Sequence, residues 1–173
     1  MGTQYIFVVE TNNKCKSDWI YIKDTLKRFY QWDQTQIKLS TVYMNGKGNY
    51  KNKEKEIRSL ISQYKSGGKM NESKVIYCFD CDEYEKKMAD RDFLEKARQY
   101  CQSMNYEFVW FCKDIESVYL GRQVDDNSKK KEAATFNAKR KIDHVDENKL
   151  LATAYQINSS NLLCVLDQYL ERK

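Results

Sequence analysis

Five carboxylates fall where short runs of β-branched and aromatic residues stop. Glu10 ends "QYIFVVE", Asp80 and Asp82 close "SKVIYCFDCD", and Asp114 and Glu116 follow "YEFVWFC". Each run reads as a strand, so the acids stand at strand ends. Side-chain direction repeats every two residues along an extended chain, which predicts Asp80 and Asp82 on one face. Carboxylates gathered at one point repel, and one or more takes up a proton unless a cation shares the site. Magnesium or manganese would remove the conflict, since magnesium is held by a few carboxylates together with water and substrate phosphate. The expected ligands are Glu10, Asp80 and Asp82, with Glu116 and Asp114 nearby. Acids at strand ends also have a plainer origin, because loops are polar and aspartate caps helices. Glu83 and Glu85 are assigned to that role, as a solvated face ahead of a helix.

The elements that must position these acids alternate along the chain. Strands are predicted over 4–10, 36–44, 73–80 and 106–112, with the third nearly continuous in apolar residues and so buried on both faces. Helices are predicted between them. "SDWIYIKDTLKRFYQ" places Trp19, Ile22, Leu26 and Phe29 at helical spacing behind Ser17 as N-cap, and "KEKEIRSLISQYK" stops at Gly67-Gly68. "DRDFLEKARQYCQSM" and the short "DIESVYLG" supply two more. Strand and helix in alternation predict an α/β fold, a mainly parallel four-stranded sheet flanked by helices. Function in such sheets collects at the carboxyl ends of the strands. Residues 1–121 form this core. Residues 122–173 begin with a polar, basic stretch around Ala133, Ala134, Phe136 and Ala138, with 125–131 as a mobile loop. They end in two closing helices, "VDENKLLATAYQI" and "SSNLLCVLDQYLERK", packed on the same domain.

The chain is long enough for one domain with a substantial core. Its 41% hydrophobic and 32% charged residues exclude a disordered chain. No apolar run approaches the roughly 18 residues of a membrane helix, and the first strand is too short for a signal segment. A cytoplasmic protein with its six cysteines free is expected. Cys78 and Cys81 form a C-x-x-C, but no second pair answers it, which argues against zinc. The net charge of +5 permits a polyanionic partner without demanding one. The absence of proline and the many Lys, Asn, Tyr and Ile suggest an AT-rich bacterial or phage genome.

A glutamate ending a first strand and a D-x-D ending a later one resembles the Toprim domain, here "FVVE" with Glu10 and "FDCD" with Asp80 and Asp82. Among Toprim-like proteins the chain looks most like the RloB-like group of bacterial restriction and defence loci. "SDWIY" resembles that group's helix start, with Ser17, Asp18 and Tyr21. "NGKGN" matches its glycine-containing loop, and "CKDIESVYL" puts Glu116 at its acid position. The likeness spans roughly residues 4–121. Thr11 stands where Toprim glutamates are usually followed by glycine.

The resemblance implies a Toprim/Rossmann-like core and a Mg2+- or Mn2+-dependent nuclease acting on DNA or RNA. The metal would lower the pKa of an attacking water. Glu10 would be ligand or general base, Asp80 and Asp82 ligands, and Glu116 would complete the site. A lysine would neutralise phosphate charge. Lys14, Lys16, Lys47 and Lys113 are the candidates, and Lys113 is the first choice because it directly follows the fourth strand. The basic stretches "KGNYKNKEK" and "KKKEAATFNAKRK", with Tyr50 and Phe136, suit phosphate contacts and stacking. Implied partners are nucleic acid, a protein of a defence system and a second copy of the chain as homodimer. The competing reading is a catalytically weak Toprim-like interaction module of a larger defence complex. A dehalogenase-type phosphatase fits less well, since its D-x-D lies on the first strand.

Overall fold

The computed structural model describes residues 1–173. The chain runs through β1 (Thr3–Val9), α1 (Ser17–Phe29), β2 (Tyr30–Gln31), β3 (Ile37–Tyr43), α2 (Glu54–Ser66) and β4 (Glu72–Asp80). It continues with α3 (Met88–Met104), β5 (Glu107–Cys112), α4 (Ile115–Leu120), α5 (Lys129–Ala138), β6 (Ser159–Ser160), α6 (Leu162–Leu166) and β7 (Glu171–Arg172). The main sheet has the order β3-β1-β4-β5-β6. Its first three pairings are parallel and the β5–β6 pairing is antiparallel. No helix is long and apolar enough to cross a membrane.

Alternation along each strand splits the core between the two sheet faces. Tyr5, Phe7, Val9, Ile76, Cys78 and Phe111 face Tyr21, Ile22 and Leu26 of α1, with Phe136 of α5 and Leu162 of α6 in the same cluster. Ile6, Val8, Tyr77, Phe79 and Trp110 face Ile57 of α2 and Leu94, Ala97 and Cys101 of α3. Each fully buried side chain of this size contributes roughly 1.5–3 kcal/mol. With both faces covered, β4 is buried continuously from Val75 to Asp80, as its sequence predicts.

The structure departs from the sequence reading in four places. The sheet has five strands rather than four, because Ser159 and Ser160 pair with Cys112 and Phe111 at its edge. The closing region is not two long helices. Asp146 caps only a single 3-10 turn, Glu147–Leu150, and Asn158 takes a left-handed φ of 60° that stops helical continuation. The expected mobile stretch 125–131 is a 3-10 turn, Asp126–Ser128, running into α5. Ser17 is the first helical residue of α1, not its cap. Lys16 occupies the cap in a left-handed conformation.

The cysteines are also not all free. Cys81 and Cys112 form a disulfide between the ends of β4 and β5, with Cα atoms 5.0 Å apart. Cys15, Cys78, Cys101 and Cys164 remain thiols. The C-terminal residues contact α1 and its end. Arg28 of α1 donates to the carbonyls of Ile142 and Val145, and β2 pairs with β7 beside the end of α1. Parallel pairing of β1, β4 and β5 brings their carboxyl ends to one edge, and the acids stand there.

Candidate metal and phosphate site

Glu10 follows β1 directly, and β1 pairs with β4 through Val8 and Tyr77. That register places the glutamate beside the end of β4. The Asp80 backbone N–H donates to Glu10 Oε1 at 2.7 Å. Asp80, the last residue of β4, accepts in turn from the Ile115 N–H at 2.9 Å through Oδ1. This bond ties the end of β4 to the start of α4. Asp114 caps that helix by accepting from the Ser117 N–H at 2.8 Å, and so helps fix Glu116 one turn in.

Two further groups complete the cluster. Asp18, in the first turn of α1, accepts from the Thr11 N–H at 3.2 Å, which pins the residue after Glu10. Lys129, at the start of α5, holds its ammonium 3.7 Å from Glu116 and 3.5 Å from Asp126. Asp18 is 6% exposed, Asp80 8% and Glu116 0%. Neither oxygen of Glu116 has a hydrogen-bond partner. Glu10, Asp18, Asp80 and Lys129 line one open cleft of about 500 Å3 with Asn12, Asn45 and Gly46.

Burial is the largest cause that pushes each of these acids toward its protonated form, and neighbouring carboxylates add to it at Glu10, Asp80 and Glu116. Glu10 is raised from 4.5 to about 8 by desolvation, with Asp18 and Asp82 adding repulsion against the Asp80 N–H bond. Asp80 is raised well above the usual range by burial and then by Glu10, Asp18 and Glu116. Burial raises Asp18 as well. Glu116 rises to about 7, again mainly by burial, with Lys129 pulling the other way. Burial works against the charge on Lys129, but Glu116, Asp80 and Asp18 outweigh it and keep the ammonium protonated.

Asp82 stands apart from this cluster. The strand ends at Asp80, and Asp82 adopts a left-handed φ of 49°. The period-two rule that placed Asp80 and Asp82 on one face applies only to extended chain. The Asp82 carboxylate pairs with Lys47, which also lies 3.8 Å from Asp90. Asp82 lines the neighbouring cleft of about 540 Å3 with Asp114, Arg122 and Lys129. Lys129 and Asp126 belong to both clefts and stand at their shared wall. Lys113, the lysine preferred on sequence, turns to Glu83 instead. Glu83 is therefore not simply solvated, and its pKa is lowered by that hydrogen bond.

The structure thus puts Asp80 between two groups, Glu10 with Asp18, Asp82 and Lys47 as its charged neighbours on one side and Glu116 with Lys129 on the other, while Lys113 turns to Glu83. Lys129 carried a readable signal. It lies four and seven residues before Ala133 and Phe136, the two buried residues of α5, and so belongs to the inward face. The oxygen donors suit a hard cation. Glu10 and Asp80 each commit one oxygen to a backbone N–H, and both oxygens of Glu116 are unpaired. No group of three or more His, Cys, Asp or Glu side chains stands in metal-ligand geometry. A cation would therefore be held by one or two carboxylates at a time, with water and phosphate completing its shell, as magnesium commonly is. No family model matches the chain, and neither a curated protein nor a solved structure matches it significantly.

Proposed function

We propose that the chain is a Mg2+- or Mn2+-dependent phosphodiesterase of the Toprim type, similar to the RloB-like group, that cleaves nucleic acid in the cytoplasm of a bacterial or phage-defence system. The observation that carries this reading is the meeting of Glu10 and Asp80 through a 2.7 Å bond, with the orphaned Glu116 and the half-buried Lys129 against them. Asp18, Asp80 and Glu116 buried close to the half-exposed Glu10 cost stability, and a site that binds cation and phosphate gives that cost a use. Glu10, Asp80 and Glu116 would hold the ion, which supplies an acidified water and charge neutralisation. Lys129 would meet a non-bridging phosphate oxygen from the wall between the clefts. Glu10 would serve either as a ligand of that ion or as the general base toward the attacking water.

One observation favours the second reading, a catalytically weak interaction module. No three of the acids stand in ligand geometry. Incubating single- and double-stranded DNA and RNA with Mg2+ or Mn2+ separates the two. Cleavage by the wild type that Asp80→Asn loses supports the nuclease. Equal cleavage by both rejects this site, and no cleavage by either favours the module.

A further inference from the structure

A cavity of about 700 Å3 lies at the β5 edge of the sheet. β6 covers only Phe111 and Cys112, so the edge of β5 from Phe108 to Trp110 has no strand neighbour. The Asn161 side chain takes that neighbour's place. It accepts from the Trp110 N–H at 2.9 Å and donates to the Phe108 carbonyl at 3.0 Å. The backbone polar groups are thereby satisfied, and the cavity keeps aromatic walls with a polar rim. Phe108, Trp110 and Tyr155 form the walls, and Arg98, Gln102 and Asn105 stand on the rim.

Tyr155 is 37% exposed although it packs between two rings. It meets Trp110 edge-on at 5.0 Å and Tyr84 at 5.3 Å. Tyr84 lines a small pocket together with Asp82 and Lys113, the corner next to the acid cluster. Three aromatic rings, Trp110, Tyr155 and Tyr84, therefore run from the cavity to the pocket that holds Asp82 and Lys113. The rim carboxylates are already engaged, Glu95 by Arg98 and Gln99, and Glu107 by the Tyr169 hydroxyl. Aromatic walls with a few amide and guanidinium groups suit a planar, weakly charged ring bearing hydrogen-bonding edges.

We propose that this cavity receives unpaired bases of a nucleic-acid strand whose phosphodiester lies at the acid cluster, with Tyr155 as the stacking platform. Every base has a face that an aromatic ring accepts, so stacking holds a strand without reading its sequence. Gln102, Asn105 and Arg98 offer donors to base edges or to the next phosphate. The substrate class is then single-stranded rather than fully paired. This rests on the nuclease reading given above.

The test is binding of a fluorescein-labelled single strand, DNA and RNA in turn, followed by anisotropy in EDTA, so that no cleavage intervenes. Wild type, Tyr155→Ala and Tyr155→Phe are compared after circular dichroism has established that each is folded. Tyr155→Ala weakens binding about ten-fold or more, as expected for a lost base–ring stack. Tyr155→Phe, which keeps the ring, stays within about three-fold of wild type on the same ground. Unchanged affinity in Tyr155→Ala, an equal loss in Tyr155→Phe, or no single-strand binding by the wild type overturns the proposal. So does competition by a free mononucleotide as effective as by the strand. Binding that depends on Tyr155 without any cleavage in Mg2+ defeats the nuclease reading alone. Cleavage with affinity indifferent to Tyr155 defeats the base cavity alone.

Discussion

Asp80 and Asp82 are two residues apart and meet opposite surroundings. Asp80 is buried among Glu10, Asp18 and Glu116, while Asp82 is 43% exposed in its side chain and paired with Lys47. Glu83 next to it is likewise paired, with Lys113. One half of the corner treats acids as a stable surface does, each with its own cation. The other half crowds four acids of which only Glu116 has a lysine, Lys129, within ion-pair distance, and burial is the largest cause that raises the pKa values of all four. Stability alone gives no reason for the second arrangement, since an uncompensated buried carboxylate costs several kcal/mol. Under the proposed reading the chemistry belongs to the Glu10–Asp80–Glu116 half, and the Lys47–Asp82 pair supports it from the rim.

The largest effect that tests this division is on cleavage. Glu10→Gln and Asp80→Asn should each lower the rate by about 100-fold or more, as loss of a group acting on the transition state does. Asp82→Asn should cost about ten-fold or less by the same measure, because its contact with the ion is indirect. Equal losses at Asp80 and Asp82 would erase the distinction. The lysines form the next pair. Lys129→Ala should reduce the rate by about 10- to 100-fold, whereas Lys113→Ala should stay within about three-fold, since Lys129 stands at the wall between the clefts and Lys113 is turned to Glu83. Initial rates at saturating Mg2+ measure both.

A smaller effect is a pH dependence of stability in EDTA. Folding raises Glu10 from 4.5 to about 8 and Glu116 from 4.5 to about 7, so the folded chain binds more protons than the unfolded one in this window. Stability is then fullest below about pH 4.5 for these two groups and falls as pH rises toward 8. Thermal melts should show the decline, and added Mg2+ should raise the midpoint more at pH 8 than at pH 5. A midpoint that rises from pH 5 to 8 in EDTA would contradict the crowding. The smallest effect is on the paired side. Lys47→Ala should change stability by only about 0–1 kcal/mol, the usual worth of a partly exposed ion pair.

The sheet and its flanking helices were legible because each strand and helix carried its own period, from "QYIFVVE" to "YEFVWFC". The fifth strand was not. Ser159 and Ser160 have no apolar pattern and pair only because β5 offers an edge. Glu10, Asp80 and Glu116 could be read from their places at strand ends. Asp82 was misjudged in direction because a left-handed residue ends the alternation, and no sequence rule marked that position. Lys113 is adjacent to the acids in sequence, yet Lys129, far along the chain, reaches Glu116 because Ala133 and Phe136 turn the face of α5 inward. The disulfide depends on β4 and β5 being neighbours, which cysteine spacing alone does not report.

The most direct test of the division is Mn2+ binding followed by electron paramagnetic resonance, without substrate. The wild type should bind Mn2+ saturably, the Glu10→Gln/Asp80→Asn double variant should lose that binding, and Asp82→Asn should retain it. Binding that survives the double variant, or that disappears with Asp82→Asn alone, would contradict the assignment of the ion to the buried half.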